Sequence, residues 1–220
     1  MADLDPRRRF RRQRQDLVDL LREKGITDER VLAAINRVPR HLFMDQALEQ
    51  RAYEDEALPI GLSQTISQPF TVAYQTQTLA PVSGERILEI GTGSGYQAAV
   101  LSTIGVSLFT VERLRPLFER TRPLLKELGY RANCLLGDGT KGWEAMGPFD
   151  GIVVTAGAID IPRPLLDQLR VPADGQPGGR LVIPVGGSGG QTMQRIERTG
   201  QNTFEAQELE TFSFVPLIPD

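Results

Sequence analysis

The chain has 220 residues, 40% of them hydrophobic and 24% charged, with a formal net charge of -3 and a pI near 5.4. That length suits one large domain, or one domain with an extension, and the acidic balance argues against general nucleic-acid binding. No apolar run reaches the length of a membrane span, and with Cys134 as the only cysteine an internal disulfide is impossible and a reducing, cytoplasmic setting is expected.

In chain order, residues 10–24 predict a helix with Leu17, Val18, Leu20 and Leu21 as an apolar stripe and Gly25 as its stop. Arg7, Arg8, Arg9, Arg11, Arg12 and Arg14 make one basic cluster. It reads as a solvated helix face in preference to a phosphate contact, and no uninterrupted apolar core follows it as a targeting peptide requires. Thr27 or Asp28 caps a second helix that turns Val31, Leu32 and Ile35 inward and ends before Pro39. A third short segment runs from Arg40 through Ala47 and Leu48. Residues 53–69 read as a polar loop centred on Gly61-Leu62-Ser63-Gln64-Thr65-Ile66-Ser67-Gln68-Pro69. It is either a substrate-recognition loop or a polar surface linker. Residues 70–79 predict a helix leading into the core.

Next comes Arg86-Ile87-Leu88-Glu89-Ile90-Gly91-Thr92-Gly93-Ser94-Gly95-Tyr96. An apolar β-branched run, glycines at alternate positions and then helix formers describe the first βα unit of an open α/β sheet. The spacing departs from the dinucleotide pattern G-x-G-x-x-G, and the lysine of a phosphate loop is missing. Glu89, two residues before the turn, is placed to orient the glycines or to meet a cationic group. Leu108-Phe109-Thr110-Val111-Glu112 is a second strand ending in an acid, where such sheets bind ribose hydroxyls. A nucleoside cofactor is the favoured reading; the alternative is an ordinary βαβ unit with Glu112 in solvent.

Residues 116–128 predict a helix ended by Gly129, and residues 132–136 a strand that buries Cys134 and closes on Gly137-Asp138-Gly139. Asp138 there is either an adenine contact or a plain turn residue. Gly151-Ile152-Val153-Val154-Thr155 reads as a central strand buried on both faces. A helix opens at Pro162 and carries Leu169. Residues 180–185, 192–198 and 204–209, with a closing segment at Phe212, Phe214 and Val215, suit an antiparallel edge. Glycine-rich residues 186–190 read as a structural turn. His41 is the only histidine, and no Gly-x-Ser-x-Gly elbow exists. Hydrolase triads and transition-metal sites are therefore improbable. Thin acid–base chemistry beside a well-formed cofactor half suits group transfer from an activated donor.

The chain resembles the protein-L-isoaspartate O-methyltransferases from about Leu17 to Pro216. The resemblance rests on Val38-Pro39-Arg40, Leu58-Pro59-Ile60-Gly61, Gln64-Thr65-Ile66-Ser67-Gln68-Pro69, residues 88–97, Val111-Glu112-Arg113, Gly137-Asp138-Gly139, Pro148-Phe149-Asp150, Val154-Thr155-Ala156 and Val182-Ile183-Pro184-Val185-Gly186. The glycine turn alone marks the broad methyltransferase class; the Thr-Ile-Ser-Gln-Pro block is the more specific part. Methyltransferases of nucleic acids or small molecules share the turn but have no need of that block.

The resemblance implies a Rossmann-like class I S-adenosylmethionine-dependent methyltransferase sheet, with an N-terminal helical extension and antiparallel C-terminal strands. Residues 1–80 are expected to supply helices and the recognition loop, and residues 81–220 the cofactor core, as one compact unit. The implied reaction moves a methyl group from S-adenosyl-L-methionine to the α-carboxyl of L-isoaspartyl residues in damaged proteins and peptides, leaving S-adenosyl-L-homocysteine. The ester then closes to a succinimide whose hydrolysis partly restores aspartate. Ser67 is implied to position the carboxylate, with Thr65 and Gln68 as further substrate contacts. Glu89, Gly91, Thr92, Gly93, Ser94 and Gly95 are implied to frame the methionine part of the cofactor, Glu112 its ribose, and Asp138 with Gly139 its adenine. A cytoplasmic monomer with no metal, nucleic-acid or membrane partner is expected. Departures from the family pattern include Ser63 and Gly157, which stand where glycine and alanine are common, and Ser213, where arginine is often seen.

Overall fold

The computed structural model describes residues 6–219 apart from 174 and 188, with residues 6–9 as backbone only. The side chains of Arg7, Arg8 and Arg9 and the centre of the turn at 186–190 thus lie outside the described residues; Arg11 and Arg12 are exposed, as a solvated face requires.

Helix α1 (Pro6–Glu23) buries Leu17, Val18 and Leu21. It ends at Gly25, whose φ of +96 allows its N–H to reach Arg22 O while Ile26 N–H reaches Leu21 O. That pair of bonds is the Schellman closure. Helix α2 (Glu29–Arg37) is capped by Asp28, whose carboxylate accepts from Arg30 N–H. Two short 3-10 turns follow, Arg40–Phe43 and Gln46–Arg51. Where the sequence reads as a loop, the structure has a hairpin, β1 (Leu58–Gly61) paired antiparallel with β2 (Gln64–Ile66). Its two-residue turn puts both Leu62 and Ser63 at positive φ, 55 and 56. This is the geometry whose twist matches a hairpin, but it is usually filled by Asn and Gly, so the residues carry no turn signal. Helix α3 (Pro69–Leu79) then enters the core with proline at its first turn.

The main sheet comprises β3 (Arg86–Ile90), β4 (Ser107–Glu112), β5 (Asn133–Leu136), β6 (Gly151–Val154), β7 (Arg180–Val185), β8 (Gln191–Arg198) and β9 (Phe204–Phe212). Its spatial order is β5-β4-β3-β6-β7-β8-β9. The first five of these strands are parallel, while β8 and β9 run antiparallel in sequence order. Helices α4 (Tyr96–Ile104) and α5 (Arg115–Glu127) connect the parallel strands. Helix α6 (Arg163–Asp167) is shorter than the sequence suggests, because Leu169 leaves it to bridge Phe149. Cys134 is only partly buried.

Alternate side chains of the central strands feed two cores. Ile87, Leu108, Val153 and Val182 join α1 to α5 on one face, including Leu17, Leu32 and Ile35 of the extension. Leu88, Ile90, Phe109, Ile152 and Leu181 meet Phe149, Leu165 and Leu169 on the other. The chain leaves β3 for β4 on one side and returns to β6 on the other. Open sheets carry their ligand crevice at that switch point, outside the carboxyl ends of the strands.

Candidate active site

At the end of β3 the backbone turns through residues 91–95. Gly91 has φ +95, and a Cβ there would lie 2.5 Å from Thr155 Oγ1. The Thr155 hydroxyl donates to Ile90 O (3.0 Å) and Gly91 O (2.7 Å), which locks the exit of β3 to that of β6. Gly93 N–H donates to Glu112 Oε2 (2.8 Å), and Leu114 N–H to Glu112 Oε1 (2.8 Å). The Glu112 carboxylate is thereby fixed at the cleft by two backbone amides. Its remaining lone pairs are free to accept a pair of hydroxyls.

The cleft is lined by residues 64–67 from the hairpin, residues 90–94, Glu112, Gly139, Thr155 and residues 215–218. It is partly enclosed and continuous with solvent on one side. A second groove runs past Gln68, Phe70, Phe212 and Phe214. The two share one wall, made by Thr65, Ser67, Thr155 and Val215.

Of the residues expected from the sequence, Thr65, Ser67, Gly91, Thr92, Gly93, Ser94, Glu112 and Gly139 line the cleft together. Four stand outside its lining. Gly95 opens α4, and a Cβ there would lie 2.7 Å from Thr121 Cγ2, so it serves the packing of α5. Asp138 caps the 3-10 turn Gly139–Lys141, accepting from Thr140 N–H (2.9 Å) and Thr140 Oγ1 (2.6 Å), with Lys141 Nζ at 3.3 Å. Gln68 lines only the second groove, and its amide donates to Asp55 O (2.9 Å) and Asp55 Oδ2 (3.1 Å).

Glu89 is fully buried behind the cleft. Its Oε2 accepts from Thr110 Oγ1 at 2.5 Å, and Thr110 Oγ1 lies 2.6 Å from Thr92 Oγ1 at the cleft wall. Burial pushes the Glu89 carboxyl up to about 8; the Thr110 bond opposes this and the Glu112 charge adds to it. His41 is stacked on Phe10 with centroids 4.1 Å apart, and its Nδ1 is 2.7 Å from Tyr53 Oη. Neither His41 nor any other residue of the Arg40–Phe43 turn lines the cleft.

Three features had no assigned role in the sequence. Thr155 stood at the carboxyl end of a central strand, where such sites occur, and that was its signal. Residues 215–218 come over the cleft because Gly157 N–H donates to Val215 O (2.8 Å) and Leu217 N–H to Gly157 O (2.7 Å). Asp55 gathers Phe70 N–H (2.8 Å), the Gln68 amide and Lys24 Nζ (2.6 Å). Its partners lie 13 to 31 residues away in sequence, so nothing local marked it.

The reversed sheet order, the glycine turn and the acid closing the second strand define a class I S-adenosylmethionine-dependent methyltransferase. The family model of protein-L-isoaspartate(D-aspartate) O-methyltransferase matches residues 12–220, and the chain belongs to that family. A protein-L-isoaspartate O-methyltransferase of Salinibacter ruber is 58% identical over 217 residues, covering 97% of this chain and 94% of the relative. One from Christiangramia forsetii is 50% identical over 213 residues, covering 96% and 97%. A solved protein-L-isoaspartate O-methyltransferase superposes with a TM-score of 0.82 at 27% identity, covering 92% of this chain and 65% of that one. A Plasmodium falciparum structure in complex with S-adenosyl-L-homocysteine shares the fold, with a TM-score of 0.76 at 23% identity over 93% of this chain and 98% of that one. Among the described residues no helix is long and apolar enough to cross a membrane.

Proposed function

We propose that the chain methylates the α-carboxyl of L-isoaspartyl residues in damaged proteins and peptides, with Ser67 at the point where cofactor and peptide meet. The observation that carries this is the wall of Thr65, Ser67, Thr155 and Val215, common to the cofactor cleft and the second groove. S-adenosylmethionine supplies the activated methyl group. Residues 91–94 and the amide-fixed Glu112 hold it, Glu112 taking the ribose hydroxyls, and Gly139 borders its adenine, with Asp138 shaping that turn. Thr65 and Ser67 hold the incoming carboxylate from the hairpin side. Gln68 contributes from the second groove, beside its bonds to Asp55. A carboxylate is already a competent nucleophile, so the site requires orientation and exclusion of water more than a strong base. Ser67 therefore acts as a hydrogen-bond donor and not as a covalent nucleophile.

In this reading residues 1–80 supply recognition and residues 81–220 the cofactor core, and the protein works as a cytoplasmic monomer without a nucleic-acid partner. Its net charge of -3 and single cysteine support that setting. The test is transfer of labelled methyl from S-adenosylmethionine to two peptides that differ only in L-isoaspartate against L-aspartate. Base-labile label on the isoaspartyl peptide alone is expected, strongly reduced in Ser67→Ala while cofactor affinity holds. Equal labelling of both peptides, or of neither with the cofactor bound, overturns the substrate assignment.

A further inference from the structure

Behind the cleft lies a short chain of buried hydroxyls that ends on a buried acid. Thr92 lines the cleft, Thr110 sits 2.6 Å behind it, and Glu89 accepts from Thr110 at 2.5 Å. The second carboxyl oxygen of Glu89 is buried and makes no hydrogen bond. Thr110 is thus the one hydroxyl through which the acid communicates. Each threonine has a single hydroxyl proton to give. With Glu89 ionised, Thr110 donates to it, Thr92 donates to Thr110, and Thr92 turns lone pairs to the cleft. With Glu89 protonated on Oε2 the order reverses, and Thr92 turns its proton to the cleft. An ionised carboxylate held by one hydrogen bond in a dry interior is costly, and a cation in the adjoining cleft offsets that cost.

We propose that Glu89 is a positioning residue for the cofactor, setting through Thr110 and Thr92 the direction in which the cleft hydroxyl bonds, so that binding of a sulfonium cation is coupled to loss of the Glu89 proton. The inference rests on the cofactor assignment above. The surroundings leave this coupling to Glu89 itself. On β4 the neighbouring ionisable group is Glu112, whose charge opposes ionisation of Glu89, and on β5 it is the Cys134 thiol, pushed up to about 11 by burial, with the Glu89 charge raising it and Arg122 of α5 lowering it. Helix α4, packed on β4, carries only Tyr96, raised by burial and lying under the Arg40 guanidinium; α3, packed on β6, carries only Tyr74, and β6 itself has no ionisable side chain.

The sign follows from linkage. In the cofactor-free protein burial holds the proton on Glu89 up to about 8. A ligand that needs the ionised form must expel that proton below this pH and not above it. Its affinity therefore falls as pH drops, by up to roughly tenfold per pH unit. S-adenosylhomocysteine shares every part of the cofactor except the methyl group and the positive charge, so it serves as the reference ligand.

Calorimetric titration of both ligands between pH 6 and 9 tests the coupling without any turnover. The affinity ratio of S-adenosylmethionine to S-adenosylhomocysteine should rise up to roughly tenfold per unit toward pH 8 and then level. Repeating the titration in buffers of different ionisation enthalpy should show proton release only with the sulfonium. Glu89→Gln and Thr110→Val should flatten the ratio, and Thr110→Ser should restore it. A ratio independent of pH in the wild-type protein overturns the inference, as does a Thr110→Val slope equal to wild type. Failure of either ligand to bind at any pH would instead overturn the cofactor assignment. The wild-type measurements need no variant to fold.

Discussion

At the carboxyl ends of β3 and β4 the site is held by backbone, whereas the wall facing it is held by side chains. Gly91 and Gly93 adopt positive φ, and the amides of Gly93 and Leu114 clasp Glu112. Across the cleft, the segment that follows Ser67 is held by Asp55, whose side chain ties Lys24 to Gln68 and Phe70 N–H at the start of α3. The backbone half is rigid because it continues a buried parallel ladder; Gly91 N–H still bonds Val111 O beyond the last paired residue. The side-chain half rests on a two-strand hairpin, which is marginal alone and needs packing to persist. In the proposed reading, a common cofactor meets the preorganised half, and a variable peptide meets the adjustable one.

The sharpest way to break this contrast is Gly91→Ala. The new methyl would sit 2.5 Å from Thr155 Oγ1 at a φ of +95. The left-handed conformation alone costs about 1–2 kcal/mol for a residue with a Cβ, and displacing Thr155 opens the junction of β3 and β6. Cofactor affinity should fall by more than tenfold, read by titration, with peptide methylation lost at ordinary cofactor concentrations. Wild-type affinity would mean that the turn does not shape the cofactor site.

Next in size is Glu112→Ala. It removes a carboxylate placed to accept charge-assisted hydrogen bonds, and the cofactor dissociation constant should rise by about 2 kcal/mol, roughly thirtyfold. The KM for an isoaspartyl peptide, measured at saturating cofactor, should stay unchanged. Asp55→Ala should do the reverse. It leaves Phe70 N–H without its acceptor and removes one of the two bonds from the Gln68 amide, the one to Asp55 O remaining, and so loosens the segment next to Ser67. Stability should drop by about 1–3 kcal/mol and the peptide KM should rise severalfold, while cofactor affinity holds. If both ligands weaken equally in Asp55→Ala, the two halves are one cooperative unit and the contrast fails.

The same division explains what could be read from the residues. Strands β3, β4 and β6, the glycine turn and the acid at 112 were legible, because parallel buried strands are continuous apolar runs and turns at positive φ select glycine. Glu89 stands out in the sequence beside the glycine turn, but its place behind the cleft does not. Strand periodicity places its side chain with Ile87 on the α4 face, yet only the structure shows Thr110 and Thr92 standing between it and the cleft. Asp55, and the bond from Gly157 to Val215 that brings the C-terminal segment over the cleft, join residues far apart in sequence. Composition and spacing carry no trace of such contacts. The hairpin reads as a loop in the sequence because its turn uses Leu62 and Ser63 in place of Asn and Gly.

That turn gives the smallest effect and the finest probe of the side-chain half. Ser63 holds a φ of 56, and a Cβ in that conformation costs about 1–2 kcal/mol. Glycine removes the strain but gains freedom in the unfolded chain, which returns about 0.4–1 kcal/mol. The net gain for Ser63→Gly should be about 0.5–1 kcal/mol, a rise in Tm of roughly 1–4 °C for a chain of this size. Ser63 is exposed and does not line the cleft, so cofactor affinity should be unaffected. The peptide KM is then the informative readout. A lower KM means that the hairpin is partly disordered before substrate arrives and that its ordering limits binding. An unchanged KM with the expected rise in Tm means that the hairpin is already formed before substrate arrives.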